Sequence, residues 1–393
     1  MPKLILNTIV KDEAHCILIM LESAAKISDA IVIADTGSTD GTQDLIRKFG
    51  EDNNIPTYVF ERPFDDFEKS RNFGMEKARE VVKELGWNSN DCWTWWCDAD
   101  ETIVVDPNFN KSQFKNDLYM INTYIGAMKY TRNTFARVSK PFRFYGPVHE
   151  FIVCDEQNIT SGLAENVHVD VKMIGASWQG DIAQKYLSHS HKLEAYIAAD
   201  RKDPRWIFYT AQSYHDSASM KDNKEENEER LRRSLKYYRE RVSRSDGYPE
   251  EIYYAQYRIG AIMRILEQPW AQTHQELLKA YAIDPLRGES IKVIIDYYLQ
   301  MSDWHMAYLY TKFAKTTFHN KNPYPTRLLF VDEATYVWKF AESHAAACFY
   351  TNRLDEARST YNEIVQATKT HPQYFTPEDL QKIQMNGQFF NKK

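Results

Sequence analysis

The stretch Ala30-Ile31-Val32-Ile33-Ala34-Asp35-Thr36-Gly37-Ser38-Thr39-Asp40-Gly41-Thr42 passes without a break from five apolar residues into an acidic loop rich in hydroxyls and glycine. The apolar part has the length of a buried strand, and Asp40-Gly41-Thr42 is a good helix start. In an open α/β sheet, ligands gather outside the carboxyl ends of the strands, which is where this loop falls. A second acidic cluster, Asp98-Ala99-Asp100-Glu101, follows Trp93-Thr94-Trp95-Trp96-Cys97 in the same way. Two carboxylates at i and i+2 on one turn can both reach a hard divalent cation, and such a cation can hold a diphosphate. Together the two clusters point to a metal-dependent site for a nucleotide-linked substrate.

Outward from these clusters, residues 1 to about 125 alternate strand and helix signals. Leu4 to Val10, 30–34, Thr57 to Phe60 and 92–97 read as strands. Glu13 to Ile27, Gly41 to Phe49 and Glu68 to Leu85 carry apolar residues at helical spacing. That alternation predicts βαβ units and a largely parallel sheet. From about 118 to 180 the pattern is strand-like and irregular; from about 182 onward it is almost all helical. Two domains are expected, 1–180 and 181–393, in keeping with a length of 393 residues. Turn signals at Asp203-Pro204, Gly247-Tyr248-Pro249, Asp284-Pro285 and Asn322-Pro323-Tyr324-Pro325 divide the helical half. The small residues of Ala341 to Cys348, followed by Leu354 to Arg358 and Tyr361, match a helix-turn-helix repeat near the tetratricopeptide period.

Composition narrows the class. Apolar content of 43% and charged content of 26% suit a soluble globular protein. A net charge of −6 leaves no global basic footprint for nonspecific nucleic-acid binding. The five cysteines are scattered and odd in number, which predicts reduced thiols in a cytoplasmic compartment. No apolar run reaches membrane-spanning length, so no membrane insertion is expected. Met1 is followed almost at once by a strand-like run, which leaves no room for a signal peptide.

Among individual residues, Asp98 and Asp100 are the best metal candidates, set against the alternative of a plain acidic turn. Asp35 is placed to accept hydrogen bonds from a base or ribose, and its loop lacks the GK[ST] ending of a P-loop. Arg71, in Arg71-Asn72 behind Phe64-Asp65-Asp66-Phe67, could pair with a diphosphate, since its planar fork suits phosphate oxygens. His149-Glu150 ends a loop-like stretch, Phe142 to Val148, that could fold back over the site. His168 lies in the alternating run Val167-His168-Val169-Asp170. His189, His191 and His215 read as structural.

The N-terminal half resembles the family 2 glycosyltransferases of the GT-A fold. The resemblance rests on Asn7-Thr8-Ile9-Val10-Lys11-Asp12-Glu13, on Ile33 to Thr42, on Arg71-Asn72-Phe73-Gly74, on Cys97 to Glu101, and on Phe144 to Glu150. The helical half is similar to the tetratricopeptide-like region that some of these transferases carry, through Trp206 to Tyr214, Tyr237 to Arg241 and Glu250 to Tyr254. The resemblance implies inverting transfer from a nucleotide sugar, a UDP-sugar first among them, to a hydroxyl on a protein, a glycan or a modified base in DNA. It implies a donor site of Thr8, Val10, Glu13, Asp35, Ser38, Asp65, Arg71, Asp98 and Ala99. Mn²⁺ or Mg²⁺ would sit on the Asp-X-Asp pair Asp98 and Asp100, with His168 or His149 completing the shell. Inversion needs a general base near the acceptor hydroxyl; Glu150 is the candidate and Glu101 the runner-up. The helical half could also form a homodimer.

Two rivals remain. A nucleotidyltransferase also uses paired aspartates, but it needs a basic glycine-rich loop that Lys3 and Lys11 replace poorly. A non-catalytic helical scaffold with a degenerate transferase half would not need Asp35, Asp98 and Asp100 intact.

Overall fold

The computed structural model describes residues 1–199, 202–219, 223–323 and 326–390. The chain divides into two compact units, Met1–Ile125 with Tyr130–Leu193, and Gly126–Lys129 with Glu194–Lys393. The first unit opens with β1 (Lys3–Val10), α1 (Ile17–Ala24), β2 (Ala30–Asp35), α2 (Thr42–Asn53), β3 (Thr57–Glu61), α3 (Phe67–Glu84) and β4 (Cys92–Trp95). It continues with β5 (Glu101–Val105), β6 (Leu118–Ile125), β7 (Met128–Arg137), β8 (Arg143–Tyr145), β9 (Phe151–Val153) and β10 (Ser161–Val171). The following helix, α4 (Ile182–Ala199), belongs to this unit as far as Leu193.

The strands lie in the order β3-β2-β1-β4-β7-β6-β10-β5. The βαβ half, β3-β2-β1-β4, is parallel throughout. Beyond it the sheet is mixed, with β7 antiparallel to β4 and β5 antiparallel to β10. Parallel strands are covered on both faces and so are apolar on both. Leu4, Leu6, Ile31 and Ile33 pack with Ile17, Met20 and Leu21 of α1, while Ile5, Ala30 and Val32 pack with Ala78, Val81 and Val82 of α3. Burying each of the larger side chains contributes roughly 1.5–3 kcal/mol. Both acidic clusters come to lie at the carboxyl ends of β2 and β4.

The helix expected from Glu13 begins only at Ile17. Three backbone N–H groups before it are taken by the neighbouring loop: Asp12 donates to Ser38 Oγ, Glu13 to Thr42 Oγ1 and Ala14 to Asp40 Oδ2, each at 2.9 Å. Asp12 adopts φ +54° to make this turn.

The second unit is helical: α5 (Pro204–Ser219), α6 (Lys224–Ser243), α7 (Pro249–Ile265), α8 (Trp270–Ile283), α9 (Glu289–Gln300), α10 (Trp304–Thr317), α11 (Phe340–Tyr350), α12 (Leu354–Thr370) and α13 (Pro377–Phe390). Each helix from α5 on packs against the next in sequence. The short strand β11 (Val331–Asp332) pairs with Met128 and Lys129. The turn signals at 203–204, 247–249 and 284–285 all fall between helices; Tyr324 and Pro325 lie outside the described residues. Gly260 of α7 is a close-approach position, because a Cβ there would sit 2.5 Å from Leu277 Cδ2 of α8. Three arginines of α6 are neutralised along their own helix, Arg230 by Glu226, Arg232 by Glu228 and Arg233 by Glu229. No helix among the described residues is long and apolar enough to cross a membrane.

Candidate active site

Asp35 ends β2 fully buried, and its Oδ1 accepts the N–H groups of Gly37 and Ser38, each at 2.9 Å. Gly37 reaches φ +108°, a backbone position that only glycine adopts without strain. Asp35 Oδ2 is buried with no hydrogen-bond partner. Ser38 is tied to Asp12 and Thr42 to Glu13, so the loops after β1 and β2 form one rim. Val10 supports it by accepting two hydrogen bonds from Thr36 through its carbonyl. Thr8 is buried on β1 beneath the rim.

The turn between β4 and β5 holds three carboxylates in different states. Glu101 accepts a fork from Arg132 at 2.7 and 2.5 Å and also the Asp98 N–H at 2.9 Å, so both of its oxygens are occupied. Burial works to raise the Asp98 pKa, but Arg71 and then Arg132 overcome it and hold the group below its ordinary value. Asp100 goes the other way. Burial first, then the charges of Asp98 and Glu101, push its carboxyl up to about 6. Its Oδ2 is buried with no hydrogen-bond partner. A buried carboxylate oxygen left without a donor and crowded by two like charges fits a divalent cation, which would satisfy it. Ala99 packs into the core between the two aspartates.

Arg71 is committed to carboxylates. Its Nε meets Glu150 Oε1 at 2.5 Å and its Nη2 meets Asp98 Oδ1 at 2.8 Å. The guanidinium lies 4.6 Å from the centre of the Trp96 ring, and the guanidinium of Arg132 lies 3.8 Å from that same ring. The start of α3 also clamps the stretch that carries Glu150. Asn72 exchanges two hydrogen bonds with the Phe144 backbone, and Glu68 accepts the Gly146 N–H. His149 stands beside Glu150 at φ +54°, its ring edge-on to His189 of α4 at 5.8 Å.

Other candidates do not join this cluster. His168 faces Val104 across the β10–β5 ladder. That is four residues past Asp100, or about 13 Å of strand. Its ring is partly exposed and lies against Tyr124 and Asp170. Asp65 is exposed and forks to Arg62. His189, read from sequence as structural, stands with the site residues instead; burial pushes its pKa down to about 3. Arg132, Gly175 and Lys185 were not singled out from the sequence. Gly175 packs on Asp100, and Lys185 lies one turn before His189 on the same face of α4. The only sequence signal was that i, i+4 pairing, and it does not distinguish a site from a helix surface.

Residues 8–108 match the model of glycosyl transferase family 2. The matched segment holds both acidic clusters and most of the parallel βαβ half of the first unit, so this part of the chain is similar to the glycosyltransferases of family 2. Over 254 residues the chain is 23% identical to the SPbeta prophage-derived glycosyltransferase SunS of Bacillus subtilis (strain 168) and to glycosyltransferase SunS of Bacillus phage SPbeta. Each match takes in 61% of this chain and 54% of the relative, so the chain spans about half the length of these curated relatives. Among solved structures, BtubC (BKLC) from P. vanneervenii aligns at TM-score 0.40 and 13% identity, over 54% of this chain and 84% of that one. TarS 1-349 of S. aureus aligns at 0.36 and 13%, over 69% and 91%.

Proposed function

We infer that the first unit transfers a sugar from a nucleotide-sugar donor to an acceptor hydroxyl, with inversion at the anomeric carbon. The observation that carries this reading is the single guanidinium of Arg71, which ties the carboxylate Glu150 to the Asp98–Asp100 turn. The Asp35 rim is the nucleoside end of the site, with the partnerless Asp35 Oδ2 as its acceptor. Asp100 and Asp98 would hold Mg²⁺ or Mn²⁺, which supplies charge neutralisation for the leaving diphosphate. Glu150 takes the proton of the acceptor hydroxyl as its oxygen bonds to the anomeric carbon. The bond from that carbon to the diphosphate oxygen breaks, and the electron pair leaves with the nucleoside diphosphate. Glu101, saturated by Arg132 and the Asp98 N–H, braces the turn.

The stacked helices of the second unit provide an extended surface for a protein or glycan acceptor. A modified base in DNA fits less well, because Arg230, Arg232 and Arg233 are paired on their own helix and Arg241 is fully buried against Glu251.

The test is a panel of nucleotide sugars with Mn²⁺ or Mg²⁺, read by nucleoside diphosphate release from wild type and Asp100→Ala. Metal-dependent release that disappears in the variant supports transfer. Pyrophosphate release from a nucleoside triphosphate and a sugar phosphate would overturn it in favour of nucleotidyl transfer.

A further inference from the structure

The segment between β10 and α4 forms a wall of the site that neither acidic cluster accounts for. The Lys172 N–H donates to the Asp100 carbonyl at 3.0 Å, and the Ala176 N–H donates to Glu13 Oε2 at 3.0 Å. His15 Nε2 lies 2.7 Å from the Ile174 carbonyl. Gly175, between these anchors, has an ordinary φ of −65°, so its backbone does not require glycine. Space does. A Cβ at 175 would sit 3.1 Å from both Cβ and Cγ of Asp100 and 3.3 Å from Glu13 Oε2.

Two residues on, Ser177 holds the ammonium of Lys185, which donates to its carbonyl at 3.1 Å and to its hydroxyl at 3.3 Å. The same ammonium lies 4.6 Å from the centre of the Trp178 ring. Two Cα steps, at most about 7.6 Å, separate Ser177 from the glycine that touches Asp100. Asp98 and Asp100 both act on Lys185 electrostatically. Among the described residues, however, Lys185 closes an ion pair with neither. The ammonium is thus anchored by its own strap and acts on both carboxylates without being consumed by either.

We propose that Lys185 is a diphosphate-contacting residue of the donor site, a positive point charge on the opposite side of the diphosphate from the Asp98–Asp100 turn. The inference rests on the transferase reading. It deepens that reading by giving the leaving group a second cation that is part of the protein. Ser177 and Trp178 preorganise the ammonium, so little reorganisation is needed as charge develops on the leaving oxygen. A lysine suits this task as a compact charge that does not need the bidentate geometry of arginine.

The test is calorimetric binding of UDP, GDP, ADP and CDP with Mn²⁺, beside the corresponding nucleosides, to wild type, Lys185→Met and Lys185→Arg. For the nucleoside diphosphate that wild type binds, Lys185→Met should weaken binding at least about tenfold, the size of one lost charge-assisted hydrogen bond. Its nucleoside should bind as before, and Lys185→Arg should recover most of the loss. Unchanged diphosphate binding in Lys185→Met, or equal weakening of diphosphate and nucleoside, overturns the assignment and leaves Lys185 as a pin for the start of α4. Thermal unfolding of each variant separates that pin from a folding defect. If wild type binds none of the four diphosphates, the transferase reading itself fails.

Discussion

Arg71 and Glu150, 79 positions apart, are joined by a 2.5 Å hydrogen bond between side chains that are 8% and 10% exposed. The same guanidinium reaches Asp98, so Glu150 and Asp98 share one buried positive charge. Removing it leaves Glu150 without its ion-pair partner and Asp98 with Arg132 and Lys185 for counter-charge. Arg71→Met should destabilise the first unit by about 3–5 kcal/mol in urea unfolding. Glu150→Gln keeps a hydrogen-bonding partner for Arg71 and should cost much less. It should slow transfer by about 10²–10⁴-fold while nucleoside diphosphate binding stays intact. Equal stability losses for the two variants would contradict this division of roles.

Asp100 gives the opposite sign. Its Oδ2 is buried without a donor and is repelled by Asp98 and Glu101, so without metal the carboxylate is a burden on the fold. Asp100→Asn should raise stability in chelator by about 1–2 kcal/mol. It should also abolish any thermal shift that Mn²⁺ produces in wild type. A variant less stable than wild type in chelator would show that Asp100 has a partner the fold depends on.

The packing of α7 on α8 turns on one missing methyl group. Gly260→Ala drives a Cβ to within 2.5 Å of Leu277 Cδ2, and overpacking of this kind costs about 1–3 kcal/mol. Urea unfolding of the variant, followed by helical circular dichroism, measures it. In a Leu277→Ala background, the further cost of Gly260→Ala should shrink.

Acid should weaken the helical unit. His215, His274, His319 and His344 are all held below the ordinary histidine value, burial being the first cause in each. A depressed folded pKa means that the unfolded chain takes up protons first as pH falls. Their contribution is therefore complete above about pH 6.5 and declines below it. The urea midpoint should drop between about pH 7.5 and 5.5, and less steeply in His344→Gln. A midpoint that does not move over this range would contradict the assignment.

Strand ends and acidic clusters were legible because they depend on local pattern. Five apolar residues before Asp35 mark a buried strand wherever the chain goes next, and β1 to β4 fall where periodicity puts them. The late start of α1 was not legible, because Ser38, Asp40 and Thr42 compete for its first N–H groups from another loop. Arg71 was visible as a site residue, but its partners were not. A guanidinium suits phosphate and carboxylate alike, and only the fold brings Glu150 to it. The family resemblance offers His168 as a ligand, yet the ladder register carries it past Asp100. Lys185 carries only its i, i+4 spacing to His189 and Gly175 carries no signal, since close approach and proximity of charge are properties of three dimensions.

The pairing of β11 with Met128 and Lys129 has a practical consequence for anyone exchanging parts between such proteins. Four residues in the middle of the N-terminal half, Gly126–Lys129, belong by their contacts to the helical unit. Lys129 there is buried beside Glu333 at 3.7 Å. A chimera cut once, near residue 193, would graft helices lacking their strand partner and strand Lys129 opposite a foreign surface. The natural cassette is therefore discontinuous: a transplanted helical unit has to bring Gly126–Lys129 with it.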